Sequence, residues 1–559
     1  MMSSIGFLSR FIFREKRFFF VGIFLTAIVS FLTWVGPKII AVIIDRGLIP
    51  GDHKLTLYWV GLLAASEFLR LATVFFSQVS FAKLGQNVIE RVRQTMISHL
   101  LRLPVSYFDQ VTSGSMMTRI VNDVNSLTDF FQSGFVSVLG NFVSVLAIFI
   151  GIFSLNLKLG FYLTLVFIPI ALLCVYFSSR LRGVYEETRN RLSELNSKLA
   201  DFLFGMRTVR ALGLGSRKHN ELNKNVQAYA NSQTKMIGTF ALFQPVLSLG
   251  TGVMLFILIA YGIPLVSHGV MQVGQWAAAL SYVMILQQPL VEISDRWNFF
   301  LAGITSIDRI REVFAETEET SGLISAEPIE TIKFKNVNFR YEGSQEFALR
   351  DVNMVLSKGD WIGVYGESGS GKSTFLQMLY GFYSPDSGHL TWNDLNYAEC
   401  KLSSLRSYFG VVEQFPFLFH GTVRENINLF GRFSFSEIKL RETFQGYTLI
   451  ESLLQMLDFE ISERGENLSM GQKQMITFLR AYLAKPKIWV LDEATAFFDH
   501  EAETEVLRAL ENLAQNEITV IQVAHRPEAL VRMKRMVKVD RGILTEEKQA
   551  SSNYGNIEA

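Results

Sequence analysis

Cysteine is nearly absent from this chain of 559 residues: only Cys174 and Cys400 occur, one in each half. Two such thiols exclude a disulfide framework and a cysteine-rich zinc site. Net charge is nearly absent too. The 53 Lys and Arg against 52 Asp and Glu leave a formal balance of +1, which excludes nucleic-acid binding through overall charge. Charged residues are only 19% of the chain against 49% hydrophobic, and mean hydropathy is +0.24. That mean is too apolar for an ordinary soluble enzyme and too polar for a chain that is all membrane. It is the average of two unlike halves. The 47 Phe and 17 Tyr supply ample core and exclude intrinsic disorder, and the length suggests two to four domains.

In the first half, six apolar runs reach the about 20 residues that a membrane span needs. They lie at 18–44, 57–80, 134–155, 159–178, 237–266 and 275–300. Their length and number exclude the buried helices of a soluble protein. Arg10, Arg14, Lys16 and Arg17 precede the first run as they would in a signal peptide. That run is too long for an h-region and has no small-residue cleavage site after it, which predicts a retained helix. Sixteen Lys and Arg fall in two loops, Lys83 to Arg119 and Arg180 to Lys235, against Arg46, Lys54 and Lys158 in the other three. This asymmetry predicts that both termini and the two long loops face the cytoplasm. Those loops are amphipathic, which predicts helices continuing well beyond the bilayer.

Charges inside spans default to functional hypotheses. Lys38, Glu67 and Arg70 are such charges, although Glu67 and Arg70 stand three apart and suit a mutual pair equally well. The sixth run carries Gln287, Gln288, Glu292 and Asp295, with Arg296 four residues after Glu292 as an available partner. Glu292 and Asp295 on one helical face suggest a cavity that favours cationic amphiphiles.

The second half changes character. Residues 315–328 (AETEETSGLISAEP) are acidic and without apolar periodicity, as a linker is. Beyond them short β-type runs alternate with helical patterns, as in α/β layers. The strand-like WIGVY (361–365) runs into GESGSGKST (366–374). Gly366, Gly371, Lys372 and Ser373 match the P-loop pattern, with Ser368, Gly369, Ser370 and Thr374 completing the loop. Backbone N–H groups of such a loop cradle phosphate, the lysine reaches the β- and γ-phosphates, and the Ser373 hydroxyl ligates Mg²⁺. About 120 residues on, KIWVLDEAT (487–495) reads as a buried parallel strand ending in Asp492 and Glu493. Asp492 would hold Mg²⁺, and Glu493 would orient or deprotonate the attacking water. The strand-like ITVIQVA (518–524) brings His525 to the same edge. Alone, His525 would read as a surface histidine; beside the other two parts it suits the γ-phosphate side.

These parts together resemble the ATP-binding cassette (ABC) exporters. ENLSMGQKQ (466–474) resembles their signature motif through Leu468, Ser469, Gly471 and Gln472, with Met470 standing where the family usually has glycine. VVEQ (411–414) resembles the Q-loop, which makes Gln414 a contact for Mg²⁺ and water. Tyr341 resembles the aromatic that stacks on adenine. AFFD (496–499) resembles the D-loop through Asp499, without the usual small-polar start and leucine. ISERGE (461–466) resembles the segment that exporters place beside their coupling helices. Residues 103–124 and 202–213 resemble the family's two intracellular loops, so the resemblance covers roughly 10–545.

The resemblance implies a membrane α-helical domain of six transmembrane helices (1–314), a linker (315–330), an α/β P-loop ATPase domain of ABC type (331–545) and a polar tail (546–559). It implies a half-transporter that uses ATP and Mg²⁺ and needs a second half-transporter, because a signature motif serves ATP on the other subunit's P-loop. Drugs, lipids and peptides all remain open as substrates; the absence of a further N-terminal domain counts only against peptide export coupled to leader cleavage. An ATP-gated channel or regulatory subunit is the alternative class. Met470 and the altered AFFD favour a heterodimer over a homodimer. Methionine there adds bulk and restricts φ, which would weaken the ATP site that this signature serves.

Overall fold

The computed structural model describes residues 4–493, 504–506, 508–511, 518–524 and 533–547. It divides into two compact units: Met1–Arg102 with Val111–Thr317, and Leu103–Gln110 with Glu318–Ala559.

The first unit is helical. Among the described residues, five helical segments are long and apolar enough to cross a membrane: Gly6–Leu48, His53–Leu100, Ser113–Leu155, Leu157–Phe204 and Gly215–Ser267. Large apolar side chains such as Phe24, Phe68, Phe75, Ile150 and Leu172 lie more than half exposed along them, which suits lipid rather than water. The 48 residues of His53–Leu100 would extend about 72 Å at 1.5 Å per residue. That is over twice the about 30 Å hydrocarbon core, as the amphipathic loops predict.

The sixth expected span is a helix of 43 residues, Val273–Ala315, but it falls short of the apolarity of the other five. Gln275, Gln287, Gln288 and Glu292 dilute it. Its first turns are packed inside the unit instead, with Ala278, Ala279, Tyr282 and Val283 all 0% exposed. A helix covered by its neighbours needs less apolar surface toward lipid than one that faces it.

Local chemistry explains the breaks between helices. Asn156 is extended, and its side chain accepts the Leu159 N–H at 3.0 Å. This N-cap turns the chain within a single residue. Asp52 caps His53–Leu100 in the same way, accepting from Leu55 N at 3.0 Å. Away from the turn that connects them, Leu157–Phe204 and Gly215–Ser267 share a core that includes Leu159, Leu163, Phe243, Leu247 and Leu258.

Four of the intramembrane charges have partners. Arg70 Nε donates to Glu67 at 2.8 Å, so these two form the mutual pair. Lys38 lies 4.1 Å over the Trp34 ring, a cation–π contact. Glu292 accepts from Asn141 at 2.9 Å and from Gln288 at 2.9 Å. Two amides therefore hold it, and Arg296 is not the partner that the spacing offered.

The second unit holds two main sheets. The larger has, in order, Ile543–Glu547, Arg535–Asp540, Trp361–Tyr365, Thr519–Val523, Ile488–Asp492 and Phe409–Val412. All neighbours are parallel except the first pair. The smaller sheet is antiparallel, in the order Leu349–Ser357, Thr331–Phe339, Ser387–Trp392 and Leu395–Asn396. The central strands read as continuous apolar runs because both faces are covered. On one side lie Phe375, Leu376 and Ile521, and on the other Met475, Phe478 and Trp489.

The expected linker, and the first two residues of the expected tail, are tied to the second unit by specific contacts. Glu319 pairs with Arg406 at 2.6 Å, Ile324 bridges Cys400, and the Glu327 carbonyl accepts from Trp392 Nε1 at 2.8 Å. At the other end, Glu546 and Glu547 belong to the edge strand. Glu546 binds Arg535 at 2.7 Å, and Tyr365 donates to Glu547. The edge strand Ile543–Glu547 thus runs two residues past 545.

Candidate nucleotide site

The buried strand Trp361–Tyr365 delivers the P-loop to the carboxyl edge of the sheet, where ligands bind in such folds. Gly371 caps the following helix, Lys372–Leu379, with φ +112°. A Cβ at this glycine would stand 2.6 Å from the Ala348 carbonyl oxygen, and one at Gly366 would stand 2.1 Å from that of Val539. Both positions exclude any larger residue. Lys372 is 6% exposed, and its Nζ curls over the loop to donate to the Gly366 and Glu367 carbonyls, each at 2.8 Å. Burial lowers its pKa, while Glu493 and Asp492 pull the value back up. All three charged groups therefore act on one small volume. Ser370 Oγ is buried without a hydrogen-bond partner, an orphan that a phosphate oxygen would satisfy.

Asp492 ends the strand Ile488–Asp492, and Glu493 follows it with φ +49°. Left-handed backbone is uncommon for a non-glycine residue and is found at functional sites. The Glu493 N–H donates to the Val523 carbonyl at 3.2 Å, which holds the turn. Its carboxylate accepts from Gln414 Nε2. The register explains the meeting: Val412 pairs with Leu491, and two residues further along each parallel chain stand Gln414 and Glu493. Ser373, Asp492 and the Gln414 carbonyl oxygen are hard oxygen donors of the kind Mg²⁺ takes. Because Gln414 gives its NH₂ to Glu493, its oxygen is left for that role.

Tyr341 packs edge-on to Phe339 and Tyr383, at 5.1 and 5.2 Å between ring centres. Its hydroxyl bonds Thr374 at 3.0 Å and Gln377 at 2.9 Å, tying the ring to the P-loop helix. Tyr383, in GFYSPD, is a site neighbour that sequence reasoning missed; only a tyrosine just beyond the P-loop helix signals it. Its hydroxyl donates to Asp109, and Gln110 donates to Glu342 at 2.9 Å. The segment Leu103–Gln110, expected as part of an intracellular loop, thus clusters with the ATPase unit.

Ser469 and Gln472 make their contacts with each other. Ser469 Oγ accepts the Gln472 N–H at 3.2 Å, and Gln472 Oε1 accepts the Ser469 N–H at 2.9 Å. This capping box starts the helix Met470–Leu483. Met470 and Gly471 are its first two residues. Met470 has ordinary helical backbone and no positive φ. The expectation that methionine is conformationally awkward there is therefore corrected, and only its bulk remains. His525, Asp499 and the AFFD segment lie outside the described residues.

Comparison with known proteins matches these parts. The profile of the ABC transporter transmembrane region matches residues 19–290, and the ABC transporter profile matches 349–496. The Streptococcus pneumoniae ABC transporter ATP-binding protein exp8 is 30% identical over 497 residues, covering 86% of this chain and 82% of that one. The chain belongs to the ABC transporter family. Its C-terminal half is the ATPase domain of an ATP-hydrolysing transporter, and its N-terminal half makes it a multi-pass membrane protein. Another similar ABC protein is the ATP-dependent lipid A-core flippase of Thiobacillus denitrificans, 28% identical over 94% of this chain and 91% of the flippase. A solved bacterial Atm1-family ABC exporter with ATP bound has the same fold. It matches with a TM-score of 0.77 and 22% identity over 95% of both chains.

Proposed function

We propose that this ABC transporter subunit is an exporter half-transporter that moves a hydrophobic or amphipathic molecule, such as a drug, lipid or peptide, out of the cytoplasm or the inner leaflet. The observation that carries the reading is the convergence of Lys372, Asp492, Glu493 and Gln414 at one sheet edge. In this reading Lys372 leaves the Gly366 and Glu367 carbonyls for the phosphates, and the Ser370 hydroxyl gains its missing partner. Glu493 takes a proton from the attacking water while Gln414 holds its carboxylate in place. Ser373, Gln414 and Asp492 would hold Mg²⁺, which supplies charge neutralisation on the phosphates. His525 and Asp499 complete the proposed site by resemblance alone.

Two such chains closing around ATP would shift the membrane domain between inward and outward access, because the contacts to ATP form only in the closed state. Both termini and the ATPase domain lie in the cytoplasm in this reading, and the membrane is the cell's inner membrane. Tyr383 on Asp109 and Glu342 on Gln110 support Leu103–Gln110 as the segment that transmits closure. An exporter role accords with similarity to a protein named as a lipid A-core flippase.

The second half-transporter is a different chain. Met470 adds bulk at the turn that would meet the opposite γ-phosphate, while Lys372, Asp492 and Glu493 are intact on this chain's own side. One competent and one weakened ATP site is the arrangement that follows. The test is ATPase activity and dye or lipid transport in proteoliposomes, with this chain alone and with a co-expressed second half-transporter. Brisk ATP-coupled transport by the chain alone would defeat the heterodimer. ATP binding without turnover in every assembly would defeat the exporter.

A further inference from the structure

The helix Met470–Leu483 starts at the signature turn and carries two polar side chains, Gln474 and Arg480, to the loop that holds Gln414. Gln474 is 0% exposed. Its Nε2 donates to the Gln414 backbone carbonyl at 3.4 Å, and its Oε1 is buried without a partner. Six residues on, Arg480 donates from Nη1 to the Phe417 carbonyl at 3.3 Å and from Nε to the Asn426 carbonyl at 3.0 Å. Asn426, also 0% exposed, grips the far end of the same loop. It donates to the Phe419 carbonyl and accepts the Phe419 N–H, both at 2.9 Å. Glu413, at the near end, lies within electrostatic reach of Arg480. This helix therefore holds the loop by the Gln414 and Phe417 carbonyls, and through Arg480 it also holds the Asn426 that grips Phe419.

This arrangement is a costly way to pack a core. A half-satisfied buried amide is less stable than an apolar side chain of its size, and helix neighbours Met475, Ile476, Phe478 and Leu479 are all apolar. An orphaned buried acceptor calls for an explanation other than stability. What Gln474 holds is the backbone of the residue whose side chain touches Glu493.

We propose that Gln474 and Arg480 are positioning residues that set the reach of Gln414 toward Glu493. Turnover at this chain's own P-loop then depends on where its signature helix lies. The inference rests on the reading of Glu493 as the base. Because the helix begins at the Ser469–Gln472 capping box, a shift of that turn is passed along its 14 residues to the loop. The two ends of the ATPase unit's chemistry are thereby tied together.

The experiment uses the purified assembly in lipid nanodiscs, with steady-state ATPase kinetics, ATP binding and thermal unfolding. Gln474→Met should lower kcat by about five-fold or more, the scale of one lost hydrogen bond, with KM for ATP within two-fold and no fall in Tm. In a Gln414→Ala background it should cost nothing further, because contacts in one network are not additive. Arg480→Lys keeps the charge but not the fork and should lower kcat with the same split. Wild-type kcat in Gln474→Met, equal losses in both backgrounds, or a Tm fall that accounts for lost activity would each overturn the proposal. Normal turnover in Glu493→Gln would instead remove the underlying reading of the base.

Discussion

Gln414 donates its side-chain amide to the Glu493 carboxylate although 79 residues separate them in sequence. The contact is a consequence of parallel strand register, and the left-handed backbone of Glu493 turns its side chain out of the strand's alternation. A carboxylate held in this way is kept from rotating freely, which is what the proposed general base needs.

Glu493→Gln removes the charge and preserves the shape. Turnover should fall by about 10²–10⁴-fold, the usual contribution of a general base, with ATP affinity retained. Single-turnover hydrolysis beside nucleotide binding on the same preparation measures both. Hydrolysis near the wild-type rate would take Glu493 out of catalysis.

Met470→Gly tests the unequal-site reading. With helical backbone already in place at this position, glycine costs the helix at most about 1 kcal/mol and removes the bulk. ATPase activity of this chain expressed alone should rise. No change, together with a stable and active homodimer, would mean that Met470 is tolerated.

Tyr341→Ala should raise KM for ATP about ten-fold, within the about 1–3 kcal/mol of base–aromatic stacking. Tyr341→Phe loses the bonds to Thr374 and Gln377 but keeps the ring, and should stay close to wild type. Equal damage from both changes would assign Tyr341 to packing instead of adenine.

The Arg535–Glu546 pair at the sheet edge predicts a pH effect. The hydrogen bond from Arg535 is the largest cause that holds the Glu546 carboxyl below its ordinary value of 4.5, against a smaller desolvation cost. A depressed folded-state value contributes stability above the unfolded value, and that contribution is lost as pH falls through the folded one. Glu546 is half exposed, so Glu546→Gln should cost under about 1 kcal/mol at pH 7. The difference from wild type should shrink as pH falls below 4.5 toward the lower folded-state value. Thermal unfolding followed from pH 7 into acid reads it, and a gap that does not shrink would assign the loss to packing.

What the sequence by itself determined is local or compositional. The apolar runs, the P-loop, the strand ending in Asp492 and Glu493, and the signature turn are contiguous, so their chemistry is written in neighbouring residues. The family resemblance rests on the same contiguous motifs, and the comparisons agree with it. Tertiary structure decided whatever depends on partners remote in the chain. Strand register put Gln414 on Glu493, and Asn141 took Glu292 away from the nearer Arg296. Packing let the sixth helix be polar, strapped residues 319–327 onto the domain, and aimed Gln474 and Arg480 at the loop 413–419. Such contacts turn on which faces meet, and side chains three or four residues apart on a helix carry no record of what lies across from them.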